Sequence, residues 1–137
     1  MKVALDANVV IAGLVFRGAA HRLLRMAFSG THEFTMSEDV RDEVLEVLEE
    51  KFPRLRREAE EALSILPVAV VPKGAYAPRI RDFPTLRDPT DAHVLAAARE
   101  IECDILVTWD KDLLSFGNAG DLRIVAPVEA LHVLSVV

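Results

Sequence analysis

The amino-acid sequence predicts an α/β fold built around a mostly parallel sheet of about five strands. The arrangement of apolar residues along the chain supports this prediction. Short apolar runs of strand length alternate along the chain with longer segments whose apolar residues recur at helical spacing. This alternation of strand and helix is typical of parallel sheets that are covered by helices. With 137 residues, of which 51% are hydrophobic and 28% charged, we expect one globular domain spanning residues 1–137.

The predicted strands are short apolar runs bounded by charged or turn-forming residues. The run Val3-Ala4-Leu5 contains no polar residue, which indicates a buried strand, and it ends at Asp6. The predicted strands are residues 2–6, 33–36, 68–71, 104–109 and 122–126.

The helices are predicted from caps, breakers and apolar spacing. A helical region starts near Asn8, is interrupted by Gly18 and stops at Gly30. Ser37 caps a helix whose first turn is acidic, as the helix dipole favours. Further helices are predicted at residues 53–66, 88–102 and 111–116 and from residue 127 onward. Residues 73–87 show no period, so we expect an irregular loop long enough to act as a flap or arm.

Composition excludes several classes of protein. No apolar run approaches the roughly 20 residues that span a bilayer, and the N-terminus lacks a signal-peptide core, so we expect a cytoplasmic protein without membrane contact. Cys103 is the single cysteine, which excludes an internal disulfide and a thiolate metal site. The net charge of −6 disfavours a nucleic-acid partner unless bound cations offset clustered acids.

Two aspartates close predicted strands. Asp6 follows the first strand and Asp110 follows the fourth. Sites in open α/β sheets gather beyond the carboxyl ends of the strands, near the point where strand order reverses. We therefore expect the two carboxylates to share one edge of the sheet. The alternative for each is a turn or helix-capping aspartate, a role that this residue type also favours.

Two further acids lie on predicted helices. Glu43 borders the apolar stripe of its helix, although it could equally be a charge at the edge of the core. Asp91 is in line with the apolar positions Val94 and Leu95. Its alternative is local, because Asp88 is a natural N-cap and a carboxylate three positions on can cap back.

Four like charges in one place repel each other, and burying an ion without a partner is costly. A divalent cation removes both costs. Oxygen ligands without a Cys/His cluster suit Mg²⁺ or Mn²⁺, and one or two such ions promote attack of water on a phosphodiester. A hydrolase of phosphate esters is therefore the leading hypothesis, with catalytic and metal-binding roles for Asp6, Glu43, Asp91 and Asp110, of which Asp6 and Asp110 are the leading direct ligands.

Other residues are expected to support this site. Supporting hydrogen-bonding roles are predicted for Asn8, Ser37, Asp88, Thr108 and Asp112, although Asp112 could equally cap the following turn. The substrate-binding candidates are Arg17 and Arg87 for phosphates and Trp109 for base stacking, with Tyr76 as a second aromatic. The arginines could instead belong to solvated helix faces, and the core has an equal claim on Trp109.

Four stretches of the sequence resemble the PIN-domain family. They are Asp6-Ala7-Asn8, Ser37 with Glu43 six residues on, Asp88-Pro89-Thr90-Asp91, and Thr108-Trp109-Asp110-Lys111-Asp112-Leu113, in this order along essentially the whole chain. The resemblance implies a three-layer α/β/α sandwich and a metal-dependent nuclease with its acidic site at Asp6, Glu43, Asp91 and Asp110. It also implies an RNA-cleaving toxin, commonly dimeric, that is paired with an antitoxin protein.

The predicted function is therefore metal-dependent cleavage of single-stranded RNA with Mg²⁺ or Mn²⁺. Two alternatives from other classes stay open. One is a non-catalytic metal- or RNA-binding module that keeps the acidic pocket. The other is phosphoryl transfer through Asp6, which is disfavoured because no second acid stands two residues on, where Asn8 is found.

Overall fold

A computed structural model describes residues 1–83 and 88–136 of the chain. Within these residues, five parallel strands form one sheet in the order β3-β2-β1-β4-β5. The strands are β1 (Lys2–Leu5), β2 (Glu33–Ser37), β3 (Val68–Val71), β4 (Ile105–Val107) and β5 (Arg123–Val125). The predicted α/β class is confirmed, and every described strand pair is parallel rather than most of them.

The helices connect these strands. They are α1 (Ala7–Val15), α2 (Ala19–Met26), α3 (Glu38–Lys51), α4 (Arg56–Ile65), α5 (Lys73–Tyr76), α6 (Pro89–Glu100), α7 (Lys111–Phe116) and α8 (Pro127–Ser135). The connection from β1 to β2 and that from β2 to β3 run in one direction across the sheet, whereas β3 to β4 crosses back over it. Because such crossovers are right-handed, their helices cover opposite faces and form the three-layer sandwich.

The strand order reverses beside β1, and this reversal positions the site. The chain moves outward from β1 to β2 and β3, then returns to the other side of β1 for β4. Leu5 pairs with Val107, and the N–H of Asp6 donates to the Val107 carbonyl at 3.0 Å. The residues that follow β1 and β4 therefore leave the sheet side by side, at a topological switch point.

The core is centred on β1 and β4. Val3, Leu5, Ile105, Leu106 and Val107 are at most 1% exposed, as expected for strands covered on both faces. Burial on both faces also explains why these strands read as continuous apolar runs in the sequence rather than as alternating ones.

One close approach packs α1 against α2. A Cβ built at Gly13 would lie 2.4 Å from Leu24 Cδ1 and 3.0 Å from the Ala20 carbonyl oxygen. Glycine is therefore required at position 13, because any side chain would push the two helices apart.

The prediction of an irregular loop at residues 73–87 was wrong in its described part. Residues 73–76 form α5, and a 3₁₀ helix, Ala77–Asp82, follows it. Both are too short to show a helical period, and they are held by the fully buried Tyr76 side chain. Residues 84–87 lie outside the described part. A smaller correction concerns α4, which begins at Arg56 after a turn rather than at residue 53.

None of the helices in the described residues combines the length and the hydropathy that a membrane span requires. The segments Ala7–Val15 and Ala19–Ser29 reach that length and hydropathy only when taken together, and they are bent by 97° at their junction.

Candidate active site

A chain of hydrogen bonds joins the ends of β1 and β4. The Thr108 hydroxyl donates to Asp6 Oδ2 at 2.6 Å, and Thr108 Oγ1 accepts the N–H of Asp110 at 2.9 Å. The other Asp6 oxygen accepts the N–H of Ala7 at 2.8 Å. Asp6 is 7% exposed and Thr108 is fully buried. The two strand-end aspartates predicted from the sequence are thus connected through one threonine.

Asp110 has a rigid position because it also begins α7. Its Oδ1 accepts the N–H of Asp112 at 2.9 Å and that of Leu113 at 3.1 Å. Asp6 similarly caps α1. The helix-capping alternative raised for both aspartates is therefore realised, and it coexists with their position at the switch point. Capping leaves the second Asp110 oxygen available to another ligand.

Three carboxylates converge at this edge. Asp91, Asp110 and Asp112 each present an oxygen, and these oxygens lie within 4.8 Å of one another, as a group that could hold a metal ion. Asp91 is 5% exposed, while Asp110 and Asp112 are half-buried. Asp112, predicted as a supporting residue, is therefore placed among the candidate ligands.

The Asp91 carboxylate is unsatisfied. Its Oδ2 is buried and has no hydrogen-bond partner among the described residues. Burial, followed by the negative charges of Asp110, Asp88, Asp6 and Asp112, raises the pKa of Asp91 to about 7. A buried carboxylate oxygen without a donor is expensive, and a cation would satisfy it.

Burial and nearby negative charges also raise the pKa values of Asp6 and Glu43. Burial raises the pKa of Asp6 and is reinforced by Asp110 and Asp88, although the hydrogen bonds from Thr108 and Ala7 act in the opposite direction. Glu43 is exposed in α3, yet partial desolvation and the charges of Asp6 and Asp88 raise its pKa. Neither residue belongs, within the described residues, to the three-carboxylate group. Asp6 lies close enough to interact electrostatically with Asp91 and Asp110, and Glu43 close enough to interact with Asp6.

The donor set fits a hard divalent cation. The group of Asp91, Asp110 and Asp112 offers carboxylate oxygens, with the charge of Asp6 nearby, and such oxygens suit Mg²⁺ or Mn²⁺ rather than zinc. The unpartnered Asp91 oxygen is the observation that favours an ion over a purely structural role for these residues.

The predicted supporting residues make different kinds of hydrogen bonds. Asn8 reaches Thr108 Oγ1 at 3.5 Å with its Nδ2, and its Oδ1 accepts the N–H of Trp109 at 3.4 Å. Ser37 caps α3 by accepting the N–H of Val40 at 3.0 Å. Asp88 is exposed and caps α6, as predicted, by accepting the N–H of Thr90 at 2.9 Å. Asn8 thus contacts the hydrogen-bond chain directly, whereas Ser37 and Asp88 position helices.

The predicted substrate-binding residues have different settings. Trp109, between Thr108 and Asp110, is 43% exposed, so its side chain is not part of the hydrophobic core. Arg17 is exposed beyond the C-terminal end of α1, about 13 Å of helix away from Asp6. Arg87 lies outside the described residues. Tyr76 is fully buried, so the suggestion that it stacks on bases was wrong.

A second polar cluster near the acids was not predicted. Asp39, Tyr76 and His93 meet through short hydrogen bonds, although they are far apart in the chain. The sequence alone favours a packing or surface role for His93. Its position two residues after Asp91 was the available signal.

Comparison with known proteins agrees with this architecture. The fold is similar to a chain of a toxin-antitoxin complex from Klebsiella pneumoniae, with a TM-score of 0.67 and 20% identity over 91% of this chain and 97% of that one. It is also similar to a chain of VapBC2 from Rickettsia felis bound to a DNA fragment from their promoter, with a TM-score of 0.63 and 12% identity over 90% and 97% of the two chains. At these identities the likeness concerns the fold.

No curated protein matches the sequence significantly. The family model of the PIN domain matches residues 2–112, which include all of the acidic residues discussed above. The chain therefore belongs to the PIN-domain family, whose members are generally nucleases.

Proposed function

We propose that the protein is a Mg²⁺- or Mn²⁺-dependent endoribonuclease that hydrolyses phosphodiester bonds of single-stranded RNA. The observation that carries the proposal is the buried Asp91 Oδ2, which has no hydrogen-bond partner in residues 1–83 and 88–136 and lies next to the carboxylates of Asp110 and Asp112. Helix capping accounts for Asp6, Asp88 and Asp110, but it leaves the buried Asp91 carboxylate among like charges, and a bound cation would compensate that cost.

Asp91, Asp110 and Asp112 would hold the cation, with Asp6 beside them and Glu43 at the rim. A divalent ion at such a site supplies Lewis-acid stabilisation of the phosphate and a more acidic water. The protein supplies the geometry: Thr108 and the Ala7 N–H fix both Asp6 oxygens, and two backbone N–H groups of α7 fix Asp110. Because these hydrogen bonds fix their carboxylates, Asp6 and Asp110 are already in position before substrate binds.

Single-stranded RNA suits the surface better than a duplex. The site lies at the edge of the sheet, where one exposed phosphate must reach the acids. Trp109 is exposed next to Asp110 and offers a face on which a base adjacent to the scissile phosphate can stack. Arg17, beyond the C-terminal end of α1, and Arg87 are the proposed phosphate contacts for flanking nucleotides.

The partners are proposed from the structural relatives. One similar chain comes from a toxin-antitoxin complex and the other from VapBC2, so we propose that this chain is the toxin of such a pair and binds an antitoxin protein. We also propose a homodimer of single-domain chains in the cytoplasm. Size determination with and without the adjacent gene product tests both the dimer and the partner.

The activity is tested with purified protein, Mn²⁺ and a labelled single-stranded RNA. We expect cleavage that EDTA abolishes and that Asp6→Asn and Asp91→Asn lack. Asp42→Asn, the same change at an exposed position of α3, serves as the matched control and should cleave normally. Equal cleavage by Asp6→Asn would indicate a contaminating nuclease, and metal binding without cleavage of any RNA would favour the non-catalytic module.

A further inference from the structure

One carboxylate ties together three helices next to the acidic site. Asp39 Oδ2, in the first turn of α3, accepts a hydrogen bond from the Tyr76 hydroxyl at 2.6 Å and contacts His93 Nδ1 at 2.7 Å. Lys73 Nζ lies 3.4 Å from Asp39 Oδ1. Tyr76 and Lys73 belong to α5, and His93 belongs to α6. These four residues, Asp39, Lys73, Tyr76 and His93, are called the Asp39 network below.

The chemistry of the network defines its donors. An ionised carboxylate only accepts hydrogen bonds, so His93 Nδ1 must carry the proton that it shares with Asp39. Burial alone would raise the pKa of Asp39, but the hydrogen bonds from Tyr76 and His93 and the nearby Lys73 outweigh it and lower the pKa. Asp39 is therefore ionised in the folded protein, and its hydrogen bonds are charge-assisted and strong.

The network restrains α6 from the side opposite to the site. Asp91 and His93 are two residues apart on α6, about 200° around the helix, so they point in opposite directions. His93 shares its face with Ala96 and Ala97, which pack around Tyr76. Asp91 shares the other face with Val94 and Leu95, which belong to the main core. The His93–Asp39 contact therefore joins α6 to α3 on the side of α6 that faces away from Asp91.

The same network reaches the second helix of the site. Asp39 and Glu43 are four residues apart on α3 and thus lie on one face of it. Fastening Asp39 to α6 holds the helix that carries Glu43 next to the helix that carries Asp91. The acids need such a restraint, because Asp6, Asp88, Asp91 and Asp110 act on one another as like charges.

We propose that Asp39 is a positioning residue for the acidic site: through His93 and Tyr76 it holds α6 against α3, so that the carboxylates are already close together when a divalent cation binds. The proposal rests on the proposed metal-dependent function. It assigns Asp39 no contact with substrate or metal, and its effect on binding passes through the placement of Asp91 and Glu43.

The test uses the full chain and Mn²⁺ alone, with affinity measured by titration calorimetry. Asp39→Asn and His93→Ala should each weaken Mn²⁺ binding roughly 5- to 10-fold, because a charge-assisted hydrogen bond that fixes the site is lost. His93→Asn keeps an N–H donor near the position of Nδ1 and should restore most of the affinity. Asp42→Asn, a change of the same charge on the same helix, should bind Mn²⁺ as the wild type does.

A purely structural role predicts a different pattern. The variants would then unfold at lower temperature but, once folded, bind Mn²⁺ with unchanged affinity, and His93→Asn would show no rescue of binding. That pattern overturns the proposal. If Asp39→Asn does not fold, the pair His93→Ala and His93→Asn decides by itself. Absence of Mn²⁺ binding by the wild type would instead contradict the proposed function, so the two failures are distinguishable.

Activity provides a second readout. At limiting Mn²⁺, Asp39→Asn should cleave RNA several-fold more slowly, and excess Mn²⁺ should restore the rate. The KM for RNA should be unchanged, since Asp39 does not contact the substrate. A raised KM with unchanged metal dependence would contradict a positioning role at the metal site.

Discussion

The Thr108 hydroxyl donates a 2.6 Å hydrogen bond to Asp6 Oδ2 and so joins two residues that are 102 positions apart in the chain. Both are buried, and Thr108 Oγ1 also accepts the N–H of Asp110. One side chain therefore sets the orientation of Asp6 and the backbone of Asp110 together. The acidic site is organised by this threonine as well as by the acids themselves.

Replacing Thr108 by valine should destabilise the protein. The shape is retained, but Asp6 Oδ2 and the Asp110 N–H lose their partner in a buried setting, which costs about 2 kcal/mol of unfolding free energy. Urea unfolding measures the loss. Thr108→Ser keeps the hydroxyl and should retain most of the stability, so a valine variant as stable as the serine variant would contradict the role of this hydrogen bond.

Replacing Asp91 by asparagine should stabilise the metal-free protein at pH 8. The pKa of Asp91 is raised to about 7 from the usual 3.8. At pH values between these two, the folded state therefore holds a proton that the unfolded state has lost. Stability therefore falls as pH rises between these two values, and it stays reduced above pH 7. After allowance for solvent screening, Asp91→Asn should gain about 1 kcal/mol at pH 8.

The gain from Asp91→Asn should nearly vanish at pH 4, where wild-type Asp91 is protonated in the folded state. Unfolding in EDTA at the two pH values measures the difference. An equal gain at both would indicate that asparagine acts through packing rather than by removing a buried charge.

Mn²⁺ should stabilise the wild-type protein against heat. A ligand that binds only the folded state adds about 2.7 kcal/mol at 100 times its dissociation constant. Asp110→Asn should lose most of this added stability, because it removes one of three converging carboxylates. Thermal unfolding with Mn²⁺ and with EDTA gives the measurement. If Asp110→Asn gains as much stability from Mn²⁺ as the wild type does, the ion binds elsewhere.

Replacing Trp109 by alanine should weaken RNA binding while leaving Mn²⁺ binding intact. Trp109 is exposed next to the acids, and stacking of one base on an aromatic ring contributes about 1–3 kcal/mol. Binding is best measured with Asp6→Asn as the background, so that the RNA is not cleaved. Unchanged RNA affinity in the double variant would reject the stacking role.

Replacing Gly13 by alanine should destabilise the contact between α1 and α2 by about 1–3 kcal/mol. The added methyl would lie 2.4 Å from Leu24 Cδ1 in a tightly packed region. Gly18→Ala is the matched control, because nothing lies within 4 Å of its added Cβ. Equal stability of the two variants would mean that the helices separate at little cost.

The sequence could predict the parts of the site that follow from strand geometry. Asp6 and Asp110 close buried strands, and parallel strands bring their carboxyl ends to one edge, so their proximity did not depend on unseen contacts. Asp112 was placed only as a supporting residue, because its position in a helical turn does not reveal the direction of its side chain. Its convergence with Asp91 depends on the docking of α6.

The remaining errors concern contacts between distant residues. Tyr76 was considered a base-stacking side chain, but its hydroxyl bonds to Asp39, 37 residues earlier, and its ring is buried. No local period marks such a pairing. The helices of residues 73–82 were missed for the same reason, since tertiary packing rather than helical spacing holds a segment this short.

Anomalous diffraction from crystals grown with Mn²⁺ would show whether Asp91, Asp110 and Asp112 share a divalent cation. We expect a manganese peak bounded by oxygens of these three aspartates, with Asp6 beside it, and the loss of that peak in Asp91→Asn crystals. A peak remote from this edge of the sheet, or no peak at saturating Mn²⁺, would mean that the three aspartates do not form a metal site.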